Sequence, residues 1–111
     1  MNSFFRQPKP APNPDYLRRV RELPCAACGA PAPSEAHHCR DTPPYDEQGA
    51  YKSLPGYGQK SADEDAIPLC GPDGCHKLFH MERAEFHRRH GKDYGFIPVT
   101  RVALTNEEVD F

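Results

Sequence analysis

The sequence lacks tryptophan and is poor in apolar residues of any kind. Hydrophobic residues make up 37% of the 111-residue chain, and 13 residues are proline. A chain this short and polar buries little apolar surface, and domains of that size are often helped by a bound metal or by disulfides. We therefore expect at most one small domain, held together by such a staple.

Long apolar runs are also absent. No stretch approaches the ~20 apolar residues of a membrane span, and the N-terminus lacks the apolar region of a secretory signal. We therefore expect a protein of the reducing cytoplasm, without membrane partners, where clustered cysteines bind metal more often than they form disulfides. A disulfide framework is the alternative, and the odd count of five cysteines argues mildly against it.

An excess of positive charge is missing too. The formal net charge is -2, whereas nucleic-acid-binding domains are usually basic. The basic residues are nevertheless grouped, and a bound divalent ion would add positive charge at its own site. The groups are Arg18, Arg19 and Arg21, then Arg40, then Arg83, Arg88, Arg89 and Lys92. An ordinary solvated helix face also explains each group taken singly.

The chain is rich in side chains that can bind metal, and the first of these are two pairs of cysteines. Cys25 and Cys28 form one pair, and Cys70 and Cys75 form the other. Two or four intervening residues let both thiolates of a pair reach one tetrahedral zinc ion. The four cysteines therefore predict one closed structural zinc site, and Cys39 is left as a small, half-buried thiol.

Histidines interleaved with these cysteines indicate a second, open metal site. His76 and His80 stand four residues apart on a predicted helix and so share one face. For that pair alone, a chance surface arrangement is an equal alternative. His37 and His38 lie beside the other half of the cysteine site, so closing that site brings all four histidines together.

The predicted elements alternate with the metal-binding pairs. A helix begins with Asn13 as its N-cap and Pro14 at its first position, and ends before Pro24. The remaining predictions are, in chain order, a disordered proline-rich arm at 1–14, a strand at 36–40, a mobile loop at 41–64, a strand at 66–69, helices at 74–80 and 82–90, and a short strand at 97–104 in a weakly patterned tail at 97–111.

Each cysteine pair with its turn is here called a knuckle. From Tyr16 to about Ile97 the elements follow in the order knuckle, strand, loop, strand, knuckle and helix, and this stretch resembles the HNH nucleases of the ββα-metal superfamily. Within it, the sequence is similar to small phage and prophage HNH proteins akin to the Ref recombination nuclease. The likeness is carried by Tyr16-Leu17, Arg21, Leu23-Pro24-Cys25, Cys28-Gly29, Glu35-Ala36-His37-His38, Gly56-Tyr57-Gly58-Gln59-Lys60, Asp63, Ile67-Pro68-Leu69-Cys70, Cys75-His76 and His80. It implies an α+β, treble-clef-like domain at 15–96 with flanking helices, encoded by a phage or prophage and acting in a bacterial cytoplasm.

The sequence departs from that family at the second cysteine pair. Four residues separate Cys70 from Cys75 where such knuckles usually have two, and Cys75 stands where relatives often have histidine. Neither departure removes a ligand, because a four-residue gap still suits zinc.

The resemblance also implies residue roles. His37, His76 and His80 would bind a catalytic Mg²⁺ or Mn²⁺, and His38 would be the general base. Neighbouring strand residues face opposite sides, so the two roles of His37 and His38 could be exchanged, or one of them could be merely structural. Imidazole ligands would also accept nickel or zinc.

Two basic residues and one of two aspartates complete the predicted site. The middle position of the motif is either Asp63, which matches the Ref-like spacing and is favoured, or Asp65, which matches the general HNH spacing. Arg40 and Lys60 would contact phosphate, and Lys60 would also assist catalysis; each is as readily explained as a solvated cation. His87 and His90 lie on the far helix and are expected to be surface residues rather than ligands.

The predicted function is metal-dependent hydrolysis of DNA phosphodiester bonds in phage or prophage recombination or DNA processing. DNA is the expected partner, and a recombination protein is a further candidate. The first alternative is a non-catalytic zinc module that binds DNA or a recombination protein. The second is a purely structural zinc protein. An unligated histidine beside a metal site, such as His38, favours the enzyme because a binding module has no need of one.

Overall fold

The structure, a computed structural model, describes residues 11–41 and 62–108, with side chains as far as residue 105. Over these ranges it is a small mixed α+β domain with four α-helices and one two-stranded sheet, which confirms the α+β part of the predicted fold class. Most of the predicted arm at 1–14 and loop at 41–64, including Lys60, lies outside the described residues. None of the described helices has the length and apolarity needed to cross a membrane.

The first helix, α1 (Pro14–Arg21), begins as its sequence predicts. Asn13 Oδ1 accepts a hydrogen bond from the Tyr16 N–H at 3.1 Å, which satisfies one of the free donors at the helix start. Val20 and Leu23 are buried and pack against Leu104, close to the C-terminus. The helix therefore ties the two ends of the described chain together.

The sheet is antiparallel and consists of β1 (Glu35–His38) and β2 (Ala66–Leu69). His37 is opposite Ile67, and His38 is opposite Ala66. Strand β1 ends two residues before the predicted limit because the N–H group of Arg40 donates to the carboxylate of Asp93 instead of to β2. The register therefore places the two adjacent histidines at the end of the sheet.

Two helices follow the sheet, α2 (Cys75–Met81) and α3 (Arg83–His90). They pack through Phe79 and Phe86, which are both fully buried, with ring centroids 5.1 Å apart. Gly91 ends α3 with φ +85°, a conformation that glycine adopts without strain. This aromatic contact fixes α2, which carries Cys75 of one candidate metal site and His76 and His80 of the other.

The predicted strand at 97–104 is wrong, because this segment is helix α4 (Ile97–Glu108). Ile97, Thr100 and Leu104 are buried, and their spacing of three and four residues is the period of a helix. Val99 and Val102 suggested a strand by their β-branched side chains, yet both are largely exposed. Packing of one helical face therefore outweighs the local preference.

Candidate functional site

The four paired cysteines lie together in the structure. Their sulfur atoms are all within 4.8 Å of one another, and the Sγ atoms of Cys28 and Cys70 are 3.6 Å apart. A tetrahedral ion with metal–sulfur bonds of about 2.3 Å requires sulfurs about 3.8 Å apart. Cys25, Cys28, Cys70 and Cys75 thus form a site, here called the cysteine site, whose donors and spacing suit a metal such as zinc.

The first knuckle of the cysteine site is a tight turn fastened to the sheet. The Cys25 N–H donates to the Ala30 carbonyl at 2.9 Å, and the Gly29 N–H donates to the Cys25 carbonyl at 2.9 Å. Gly29 has φ +80°, which explains a glycine there. The Ala26 N–H donates to the Pro68 carbonyl of β2 at 2.8 Å, so the knuckle lies against the strand that leads to the second pair.

The second knuckle is continuous with the start of α2. The Cys75 N–H donates to Cys70 Sγ at 3.2 Å, and the His76 N–H donates to the Cys70 carbonyl at 3.0 Å. A Cβ atom at Gly74 would collide with Cys70 Sγ and would lie 2.8 Å from the Cys70 carbonyl oxygen. The four-residue gap is therefore accommodated by a turn that needs glycine at this position.

The thiols differ in how readily they ionise. Burial alone would raise the pKa of Cys25, but N–H groups of Cys28, Cys70 and Ala27 outweigh it and bring the pKa to about 7. Burial, together with the neighbouring thiols, raises the pKa of Cys75. Metal ligation needs thiolates, so binding at the cysteine site would release protons, that of Cys75 among them.

Three histidines converge beside the cysteine site. One ring nitrogen from each of His37, His76 and His80 lies within 4.8 Å of the others. The rings of His76 and His80 have centroids 4.8 Å apart, as their spacing of four residues on α2 predicts. His37 is buried, whereas His80 is exposed, so this set, here called the histidine site, is reached from solvent along α2.

The electrostatics of the histidine site favour neutral rings. Burial lowers the pKa of His37, although the Asp93 carboxylate acts in the opposite direction. Burial also lowers the pKa of His80, with a further contribution from His76. A neutral imidazole is the form that binds metal, so these two rings are available as ligands at neutral pH.

Two carboxylates contact the histidine site, and sequence reasoning assigned neither of them a role. His37 Nε2 lies 2.9 Å from Asp93 Oδ2, and His76 Nδ1 lies 2.7 Å from Glu35 Oε1. Glu35 belongs to the Glu35-Ala36-His37-His38 segment that carries the family resemblance, so a role at the site could have been predicted for it. Asp93 is 56 residues from His37 and belongs to no motif, so nothing local indicated it.

His38 is not part of the histidine site but pairs with an acid. Its Nε2 lies 2.8 Å from Asp63 Oδ1, and both side chains are partly exposed. The other oxygen of Asp63 accepts from the Asn13 N–H at 2.7 Å. Asp65, the alternative to Asp63, is instead paired with Arg101. The structure thus places Asp63 rather than Asp65 against the candidate base.

The other residues named from sequence are distributed unevenly around the site. Arg40 is exposed, and its positive charge helps to lower the pKa of His80. Cys39 is fully buried rather than half-buried; its Sγ lies 3.4 Å from the Asp65 carbonyl, and burial raises its pKa. Cys39 is therefore a core thiol outside the cysteine site.

His87 is partly exposed and belongs to neither metal site, but it is paired with an acid. His87 Nε2 contacts both carboxylate oxygens of Asp41 at 2.9 Å, and about a quarter of its side chain is exposed. Asp41, three residues after the end of β1, is buried and is paired with α3, because His87 contacts its carboxylate and Arg83 Nη1 lies 3.8 Å from its Oδ1. His90 packs its ring on Phe86.

Comparison with known proteins gives one match. The model of a family described as "Protein of unknown function (DUF968)" matches residues 1–100. No curated protein and no solved structure matches the chain. Because the family model covers nearly the whole sequence, the chain belongs to the DUF968 family.

Proposed function

We propose that this chain is a metal-dependent endonuclease of the HNH type that hydrolyses DNA phosphodiester bonds. In this proposal β1, β2 and α2 form a ββα-metal unit. One observation carries it: a fourth histidine, His38, lies next to the three-histidine site yet pairs with Asp63 instead of joining it. A purely structural metal site has no use for such a pair.

His38 has the geometry of a general base. An ionised carboxylate only accepts hydrogen bonds, so Nε2–H of a neutral His38 donates to Asp63 and leaves the Nδ1 lone pair free. Asp63 then orients the ring and stabilises the imidazolium that forms when Nδ1 takes a proton from water. Both side chains are partly exposed, so water and substrate can reach them.

The histidine site supplies three ligands and leaves further coordination positions open, as catalytic metal sites do. Bound there, a divalent ion would neutralise charge on the phosphate and on the leaving oxygen. We propose Mg²⁺ or Mn²⁺ as the working ion and zinc in the cysteine site. Imidazole ligands are softer than magnesium prefers, so nickel or zinc is also expected to bind.

Positive side chains near the histidine site suit an anionic substrate. Arg40 and Arg83 are both exposed, and the charges of both act on His80. The Arg83 guanidinium lies 4.5 Å from the centre of the Phe79 ring, which holds its stem against α2. We propose that these cations contact the phosphates that flank the cleaved bond; Lys60, proposed for the same task, lies outside the described residues.

The test is cleavage of labelled single-stranded, duplex and branched DNA by zinc-loaded protein with Mg²⁺, Mn²⁺, Ni²⁺ or Zn²⁺. We expect His38→Ala to lower turnover by about 10²- to 10⁴-fold, the usual cost of a lost general base, with metal content and DNA affinity nearly unchanged. His90→Ala is the matched control, because His90 packs on Phe86 and belongs to neither metal site.

Excess metal distinguishes the loss of a general base from the loss of a metal ligand. Excess Mn²⁺ should partly restore His76→Ala, since mass action offsets a lost ligand, but should not restore His38→Ala. If the wild-type protein cleaves no form of DNA with any of these ions and yet binds DNA with zinc alone, the chain is a zinc-dependent binding module instead.

A further inference from the structure

Asp93 is a fully buried carboxylate that lies directly behind the histidine site. It begins a short 3₁₀ turn, Asp93–Phe96, and its Oδ2 atom faces the end of the β1 segment. His37 Nε2 lies 2.9 Å from that oxygen and the Arg40 N–H donates to it at 2.7 Å, while the Asp41 N–H is shared between Oδ1 at 3.3 Å and Oδ2 at 3.4 Å. The carboxylate therefore holds the residues that follow β1 and one candidate ligand at the same time.

These contacts determine which nitrogen of His37 carries its proton. A backbone amide can only donate, so Asp93 Oδ2 acts as an acceptor towards Arg40 and Asp41. The hydrogen bond to His37 must then run from Nε2–H to the same oxygen. In a neutral ring the lone pair is left on Nδ1, the nitrogen that does not face Asp93.

We propose that Asp93 is a positioning residue that fixes the tautomer and ring orientation of His37, so that Nδ1 is offered to the ion in the histidine site. The inference rests on the histidine site of the proposed function but not on DNA cleavage. A carboxylate behind a ligating histidine raises its basicity, and its loss typically weakens metal binding by about 10- to 100-fold.

A neighbouring acid provides a matched control. Asp41 is also buried, accepts from the Asp93 N–H at 2.8 Å and contacts His87. The two acids thus hold the same junction, which is the contact between the residues after β1 and the turn at Asp93–Phe96. Of the two, only Asp93 contacts a residue of the histidine site. If the role of Asp93 were only to hold this junction, Asp41→Asn and Asp93→Asn would have the same effect on metal binding.

The experiment is a titration of zinc-loaded protein with Co²⁺ in the absence of DNA, followed by the visible absorption of the histidine-bound ion. We expect Asp93→Asn to weaken Co²⁺ binding by about 10- to 100-fold while zinc in the cysteine site is retained. Asp41→Asn should bind Co²⁺ nearly as the wild type does. Long-range ¹H–¹⁵N spectra of the wild-type protein without Co²⁺ should show His37 protonated at Nε2.

Two results would overturn the inference: wild-type Co²⁺ affinity in Asp93→Asn, or a wild-type spectrum with His37 protonated at Nδ1. The spectrum needs no variant, so it decides the question even if Asp93→Asn does not fold. Failure of the proposed function looks different, because weakened Co²⁺ binding by Asp93→Asn would stand even if the wild-type protein cleaved no DNA.

Discussion

A side chain at position 74 would have no room beside Cys70. The Cβ of an alanine there would collide with Cys70 Sγ and with the Cys70 carbonyl, and both groups are held by hydrogen bonds from Cys75 and His76. We expect Gly74→Ala to lower the free energy of unfolding by about 1–3 kcal/mol, the usual cost of overpacking. It should also speed the transfer of zinc to a chelator.

Gly95→Ala is the matched control for this substitution, because nothing lies within 4 Å of a Cβ there. Its free energy of unfolding should stay within about 0.5 kcal/mol of the wild-type value. Chemical denaturation measures both variants, and a Gly74→Ala protein as stable as Gly95→Ala would contradict the crowded geometry of the second knuckle.

At the scale of residues, local spacing predicted the site and long-range contacts escaped prediction. Each cysteine pair and the histidine pair on α2 have ligands three to five positions apart, a separation at which chain geometry alone limits where side chains lie. Asp93 approaches His37 only because a distant turn packs behind β1. The resemblance favoured Asp63 over Asp65, but the pairing of Asp65 with Arg101 of α4 could not be read from local spacing.

Helix α4 belongs to the folded domain through Leu104. This side chain is buried against Val20 and Leu23, while Val102 on the same helix is mostly exposed. We expect Leu104→Ala to lower the free energy of unfolding by about 2–5 kcal/mol. Val102→Ala should change it by about 0.5 kcal/mol or less, as most surface substitutions do.

Equilibrium denaturation of the zinc-loaded variants measures this difference. Equal stability of Leu104→Ala and Val102→Ala would mean that α4 does not contribute to the core. The strand predicted at 97–104 was wrong for a physical reason. The β-branched residues of this segment favour a strand locally, but burial every three or four residues requires a helix.

For the whole molecule, the cysteine site should decide whether the chain folds. It joins a knuckle before β1 to one after β2, and the hydrophobic core around it is small. We expect about one tightly held zinc per chain. Removing it with a chelator should abolish the helical circular dichroism, and added zinc should restore it, because ligation and folding are coupled.

Cys70→Ser should reproduce the loss of zinc and structure, whereas Cys39→Ser is the control. Cys39 is buried, as Cys25 and Cys75 are, but does not belong to the cysteine site. Elemental analysis and circular dichroism report both quantities for each variant. Complete loss of zinc without any change in thermal unfolding would remove the structural role assigned to the site.

The two ends of segment 42–61 are both anchored to the domain. Asp41 is held by His87 and by the Asp93 N–H, and Asp63 is held by His38 and the Asn13 N–H. Closing a connection between fixed ends costs entropy that grows only with the logarithm of its length, about 0.6 kcal/mol for each doubling. The register of the sheet and the spacing of the ligands are therefore set by the contacts of Asp41 and Asp63, and a change in the number of residues between them would alter the closure entropy only slightly.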